Sequence, residues 1–212
     1  MFYWLTRKGR SMYRNGCDLY GSLLSYARHP AFYQNGHVPD TFDGRFEVLS
    51  LHTGLLVGRL CQPQMGAEGT MLAQAVFDAM FKNLDWGMRE MGVGDLGVPK
   101  RIKKMMKAFK GRAFAYDEAS KVFFASGQDG SMIDAVARNI YGEVPDLHGY
   151  EKTAAIHAMT HHALAFASYV RALEIGDFKA GKLEFPAIMM KILHEKQQGF
   201  GYDNDEQERR SA

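Results

Sequence analysis

Residues 39–60 read PDTFDGRFEVLSLHTGLLVGRL, and the spacing of their apolar side chains decides the fold. Phe42, Phe46, Leu49, Leu56 and Leu60 recur at helical steps, with Thr53 filling the gap. That is the period of a helix with a buried face, not of a strand. Asp40 or Thr41 offers a capping oxygen, and Asp43 falls in the first turn, where the helix dipole favours a negative charge. Just upstream, Gly36 and Pro39 predict a rigid corner, the glycine permitting the bend and the proline stiffening the exit.

The same period extends outward in both directions. Residues 17–30, CDLYGSLLSYARHP, predict a helix with Asp18 near its start and Pro30 as its stop. Residues 71–91 place Ala73, Phe77, Met80, Leu84, Met88 and Met91 on one face. Residues 100–116, KRIKKMMKAFKGRAFAY, group Ile102, Met105, Met106, Phe109 and Ala113, with Pro99 suited to the first helical turn. A shorter helix over 131–142 takes Ser131 as its N-cap. Residues 150–175 carry the seam Ile156, Met159, Ala163, Phe166, Val170 and Leu173. Only SKVFFAS, residues 120–126, has strand character, and it is too short to build a sheet. The expected architecture is therefore all-α: a single-domain bundle of six or seven helices joined by short loops. Residues 1–16 form a basic N-terminal segment, 17–182 the helical domain, and 183–212 a C-terminal extension whose polar end is expected to be disordered.

Composition narrows the function. The chain has 212 residues, 46% of them hydrophobic, and no apolar run approaches the roughly 18 residues of a membrane-spanning helix. The opening MFYWLTRKGR is too short for a secretory core. Two cysteines, Cys17 and Cys61, make no disulfide framework and read as small apolar residues. Thirteen methionines suit gap filling or an adaptable apolar surface.

Net charge is only +2, but it is unevenly spread. Residues 1–14 hold Arg7, Lys8, Arg10 and Arg14 with no acid. Residues 100–112 hold Lys100, Arg101, Lys103, Lys104, Lys107, Lys110 and Arg112, again with none. Such a helix points to an anionic partner: lipid, ribosomal RNA or an acidic protein. Its apolar stripe leaves no aromatic side chains free to stack on bases, which argues against sequence-specific nucleic-acid recognition.

Catalytic patterns are weak. In HAMTHH, His157 and His161 share a helical face, as zinc ligands often do, but the glutamate of a His-Glu-x-x-His site is missing and no third ligand suggests itself. Solvated or inter-helix histidines are the plainer reading. A helical metal-dependent or lipid- or quinone-binding protein centred on His157 and His161 is the alternative. His52 reads as a packed residue. Residues 92–99, GVGDLGVP, echo a phosphate loop but follow no strand. No cofactor, metal site or catalytic residue is expected.

Two long blocks, FYQNGHVPDTFDGRFEVLSLHTGLLVGRL (32–60) and DAMFKNLDWGMREMGVGDLGVPKRIKKMMKAFKGRAFAY (78–116), resemble the ubiquinol–cytochrome c chaperone family. The resemblance covers roughly residues 17 to 175. It implies an α-helical, non-enzymatic assembly factor for ubiquinol–cytochrome c reductase, respiratory complex III. It also implies newly made cytochrome b as client, a site peripheral to the inner membrane near the ribosome, and a small protein partner. The short leader makes the chain similar to a bacterial, cytoplasmic member. The motif positions carried over are Pro39, Asp40, Thr41, Gly44 and Arg45 in the first block, and Glu90, Gly92, Gly94, Asp95, Leu96, Lys100 and Arg101 in the second. For these, Pro39 to Thr41 are expected to start a helix and Arg45 to meet an acid or a carbonyl.

Overall fold

The computed structural model of the chain describes residues 7–142, 144, 147–187, 189–191 and 193. Among the described residues eight α-helices with defined bounds follow one another: α1 (Arg7–Ala27), α2 (Ala31–Gln34), α3 (Phe42–Leu60), α4 (Gly66–Glu90), α5 (Val98–Ser126), α6 (Gly130–Asn139), α7 (Gly149–Ala172) and α8 (Ile175–Lys179). Six are long, and no strand occurs among the described residues. The expected all-α bundle is the observed architecture.

Helix α3 is its centre. Thr41, not Asp40, is the N-cap: its backbone is extended and its hydroxyl accepts the Gly44 N–H at 3.1 Å. The expected face is buried at Phe46, Leu49, Thr53, Leu56 and Leu60, but so are Val48, Leu51 and Leu55. Helices α1, α4, α5 and α7 all pack on α3. From Val48 to Leu56 every residue is buried, as in a helix enclosed by its neighbours.

The corner before α3 is tighter than its sequence suggests. The residue in the left-handed region is His37, at φ 52, not Gly36. The Gly36 carbonyl accepts a hydrogen bond from the buried Tyr141 hydroxyl, so a tertiary contact places the bend. A Cβ on Gly44 would lie 2.0 Å from the Pro39 carbonyl oxygen. Gly44→Ala should therefore lower unfolding free energy by about 1–3 kcal/mol through overpacking against backbone. Gly111→Ala, in open space on α5, should raise it by about 0.5–1 kcal/mol. Urea denaturation of both variants measures the contrast.

Other expectations need correction. Helix α1 starts at Arg7, well before Cys17, and crosses the boundary drawn at residue 16 without a break. Its early turns bury Met12 and seat Gly16 against Ala75, while Arg7, Arg10 and Arg14 stay exposed, so these three arginines lie on the solvent side of a packed helix. Residues 120–126 are helical, the last turns of α5. Phe123 and Phe124 pack on the core, and the Arg171 guanidinium lies 4.5 Å from the Phe124 ring centroid. Tertiary contact overrides their strand propensity. The N-cap of α6 is Asp129, not Ser131, and makes no side-chain capping bond. At the far end Leu183, Met189, Met190 and Leu193 are buried against the bundle. The polar end expected to be disordered lies outside the described residues.

Candidate functional site

Residues from both sequence blocks meet where the start of α3 faces the end of α4 and the start of α5. Arg45 forms a forked ion pair with Asp40, Nε to Oδ1 at 2.6 Å and Nη2 to Oδ2 at 3.2 Å. The guanidinium holds the Asp40 carboxyl below the usual carboxylate range. Arg45 also lies over the Tyr33 ring, 5.6 Å from its centroid. These contacts brace the chain just before the Thr41 cap.

The second block makes the turn from α4 to α5. Gly92 is left-handed at φ 79, its N–H donates to the Arg89 carbonyl, and the Val93 N–H donates to the Met88 carbonyl. That is the double bond of a Schellman stop, which needs a residue tolerant of positive φ. Arg89 then ties Asp85 on α4 to Asp95 in the turn. Gly94 meets nothing that would exclude a side chain. Leu96 is 98% exposed. Pro99 stands in the first turn of α5, right after Val98, as expected.

Two clefts open on either side of Phe42. One, of about 500 Å³, has Leu24, Tyr33, Phe46, Leu84 and Met91 among its walls and Asp40, Arg45 and Glu90 at its rim. The other, of about 790 Å³, is walled by Phe46, Met88, Met91, Val93, Met105 and Ala108, with Arg101 and Lys104 beside them. Thr41, Phe42, Phe46 and Met91 line both. Met91, expected on the buried face of α4, is instead 57% exposed, and so contributes thioether surface to the clefts.

Six of the seven cations expected for docking are exposed: Lys100, Arg101, Lys103, Lys104, Lys107 and Lys110. At 3.6 residues per turn they fall on one side of α5, opposite Ile102, Met105, Met106 and Phe109. Those four apolar residues pack on the core. None of the six pairs with a carboxylate among the described residues. Arg112 departs from the set. It is half-buried and grips Glu47 of α3 with both Nε and Nη2, the latter 2.6 Å from Oε1. Burial pushes the Glu47 carboxyl up, while the guanidinium draws it back down. Arg112 therefore pins α5 to α3 and is not part of the free cationic face. An acid set within the apolar run FEVLSL was the signal that a cation had to find it.

The histidines also sort differently. His157 and His161 are both half-buried and both engaged in contacts. The pair brought together is His52 of α3 and His162 of α7, fully buried, Nε2 to Nε2 at 2.9 Å. Among the described residues no three His, Cys, Asp or Glu side chains form a group that could hold a metal ion. No helix of the described residues is long and apolar enough to cross a membrane.

In a crystal structure of the Cbp3 homolog from Brucella abortus, 30% identical, the match covers 86% of this chain and 94% of that one, with a TM-score of 0.67. Protein CBP3, mitochondrial, of Saccharomyces cerevisiae is 25% identical over 173 residues, 79% of this chain and 48% of the yeast protein. Ubiquinol-cytochrome c reductase complex assembly factor 1 of Drosophila melanogaster is 25% identical over 103 residues, 47% of this chain and 40% of the fly protein. The matches thus span less than half the length of these two curated relatives. The sequence model described as Ubiquinol-cytochrome C chaperone matches residues 34–185, a span that contains the corner, the cationic helix and most of the lining of both clefts, and so the chain belongs to the ubiquinol–cytochrome c chaperone family.

Proposed function

We propose that this chain is a non-enzymatic assembly factor for ubiquinol–cytochrome c reductase that shields newly made cytochrome b at the twin clefts beside Phe42. One observation carries this reading. Motif residues of two separate sequence blocks line both clefts, Thr41 with Glu90 in one and Thr41 with Arg101 in the other, and the clefts share Met91, an exposed and adaptable side chain. Such a surface accepts an apolar segment without demanding one shape. The six unpaired cations of α5 dock the protein on an anionic membrane surface at the place where such a client is inserted. Exposed Leu96, two residues ahead of α5, favours lipid over ribosomal RNA, because an apolar residue beside lysines suits the headgroup boundary. The reading places the protein in the cytoplasm, peripheral to the inner membrane.

Affinity capture through a tagged chain tests the client. Cytochrome b should co-purify, and Met91→Glu should reduce its recovery by roughly tenfold, because a charge in an apolar contact costs more than about 1.4 kcal/mol. Undiminished recovery would overturn the assignment of the cleft. Docking is tested separately. Lys103→Glu, Lys104→Glu and Lys107→Glu together should abolish pelleting with anionic liposomes at low salt, with the circular dichroism spectrum unchanged. Wild-type pelleting should fade as salt rises and the Debye length shrinks to about 8 Å. Retained pelleting of the triple variant counts against the docking face, and ribosome pelleting without liposome pelleting counts against lipid.

A further inference from the structure

The pair His52 and His162 sits in a ring-lined box between α3 and α7. Phe32 of α2 meets both imidazoles edge-on, at 5.2 and 5.0 Å between centroids. Phe166 packs against His52, and Tyr26 of α1 stacks on His162. Each ring makes two polar contacts. His52 Nδ1 lies 2.7 Å from the Val48 carbonyl oxygen, and His162 Nδ1 lies 2.9 Å from the Met189 carbonyl oxygen. The two Nε2 atoms face each other at 2.9 Å.

Counting protons shows what this arrangement demands. Three contacts need three N–H groups. A carbonyl oxygen only accepts, so each Nδ1 must donate, and the Nε2–Nε2 contact needs one proton between two lone pairs. Two neutral imidazoles carry two protons. A neutral pair therefore leaves one contact with lone pair against lone pair. With both protons on Nδ1 the two Nε2 lone pairs would face each other at 2.9 Å, the length of an N–H···N bond, so the neutral pair instead gives up a carbonyl: either His52 gives up Val48, within its own helix, or His162 gives up Met189, the one of the two that belongs to the C-terminal segment. The shorter bond to Val48 favours the second choice. At 2.9 Å the Nε2–Nε2 gap has the length of an N–H···N bond and is too short for a metal between two ligands at about 2.0–2.1 Å each in tetrahedral geometry.

We propose that His52 and His162 form a buried binding site for a single proton, and that its occupancy decides whether the segment at Met189 is held against α7. One proton from solvent, shared between the two Nε2 atoms, completes all three hydrogen bonds at once. The cation it creates rests among aromatic rings with two carbonyl oxygens directed at it. Tyr26 is the titratable side chain that faces the pair from α1. The contacts from α2 and the C-terminal segment are Phe32 and the Met189 backbone, with Phe185 packed behind Tyr26 and Phe166, and no carboxylate, lysine or arginine acts on either ring among the described residues. Burial pushes the Tyr26 phenol up, so it stays neutral throughout. Burial likewise favours the neutral imidazoles, so uptake falls below the ordinary histidine range.

Histidine-selective nitrogen NMR of the intact chain, from about pH 8 down to about pH 2.5, past the folded values of both rings, tests the site. Both Nε2 resonances should move in one step with one midpoint, and both Nδ1 should be protonated once it is complete. Amide exchange at Met189 and Met190, corrected for its intrinsic pH dependence, should slow by roughly twofold to tenfold at the same midpoint, the worth of one hydrogen bond. His52→Gln supplies a permanent N–H to His162, so the pH dependence of that exchange should vanish. Two independent ring titrations, unfolding before any titration, or exchange at Met189 and Met190 that ignores the step would each overturn the proposal.

Discussion

Arg112→Ala should lower the unfolding free energy by about 3 kcal/mol while liposome pelleting stays close to wild type. The reason is the place of Glu47. Its side chain is 12% exposed, and Arg112 is its ion-pair partner on the adjacent helix. Removing one member of a buried pair leaves an uncompensated charge, which typically costs about 3–5 kcal/mol. Arg112 itself retains 25% exposure, which places the effect at the lower end. Lys107→Ala, on the same helix but solvated, should move stability by less than about 0.5 kcal/mol and weaken pelleting. Replacing both partners, Glu47→Gln with Arg112→Met, should recover most of the loss, because two apolar or neutral groups no longer demand each other. Urea denaturation and a pelleting assay on the same four proteins separate structure from docking. Equal stability losses for Arg112→Ala and Lys107→Ala would mean that Glu47 is not buried in solution.

Acidification should destabilise the fold steeply, and the sign follows from burial. Desolvation pushes His52 down to about 3 from an ordinary value of 6.5, with the neighbouring His162 adding to the shift. Desolvation pushes His162 down to about 4. Below pH 6.5 the unfolded chain binds protons that the folded chain refuses. Stability is therefore fully present above that pH and is lost as pH falls toward the folded values. Each ring contributes about 1.4 kcal/mol per pH unit, hence about 2.7 for the two, until the pair takes up its shared proton. His52→Gln should halve this slope. Urea midpoints measured at several pH values between 6.5 and 4.5 give both slopes, and a variant slope equal to wild type would show that the pair does not govern acid unfolding.

Much of this was legible in the amino-acid order. The helical period over residues 42–60 and 156–173 predicts the two helices that carry the buried histidines. The Thr41 cap, the Asp43 first turn and Pro99 at the head of α5 were readable because capping is local chemistry between residues three or four apart. The exposed cations of α5 were readable for the same reason: a helix sorts charge and apolar groups by period alone. The corner was half readable. Its place was visible, but the left-handed turn went to His37 because Tyr141, far along the chain, holds the Gly36 carbonyl.

What the amino-acid order determined by itself is therefore the set of helices, their caps and their sorted faces, because each depends on neighbours within a turn or two. Only the tertiary structure decided that Arg112 belongs to Glu47, that the clefts join residues of α1, α3, α4 and α5, and that the buried histidine partnership is 52 with 162. Each of these joins groups tens of residues apart. Their meeting is governed by helix packing, in which a rotation of one helix by a single residue would exchange His162 for His161.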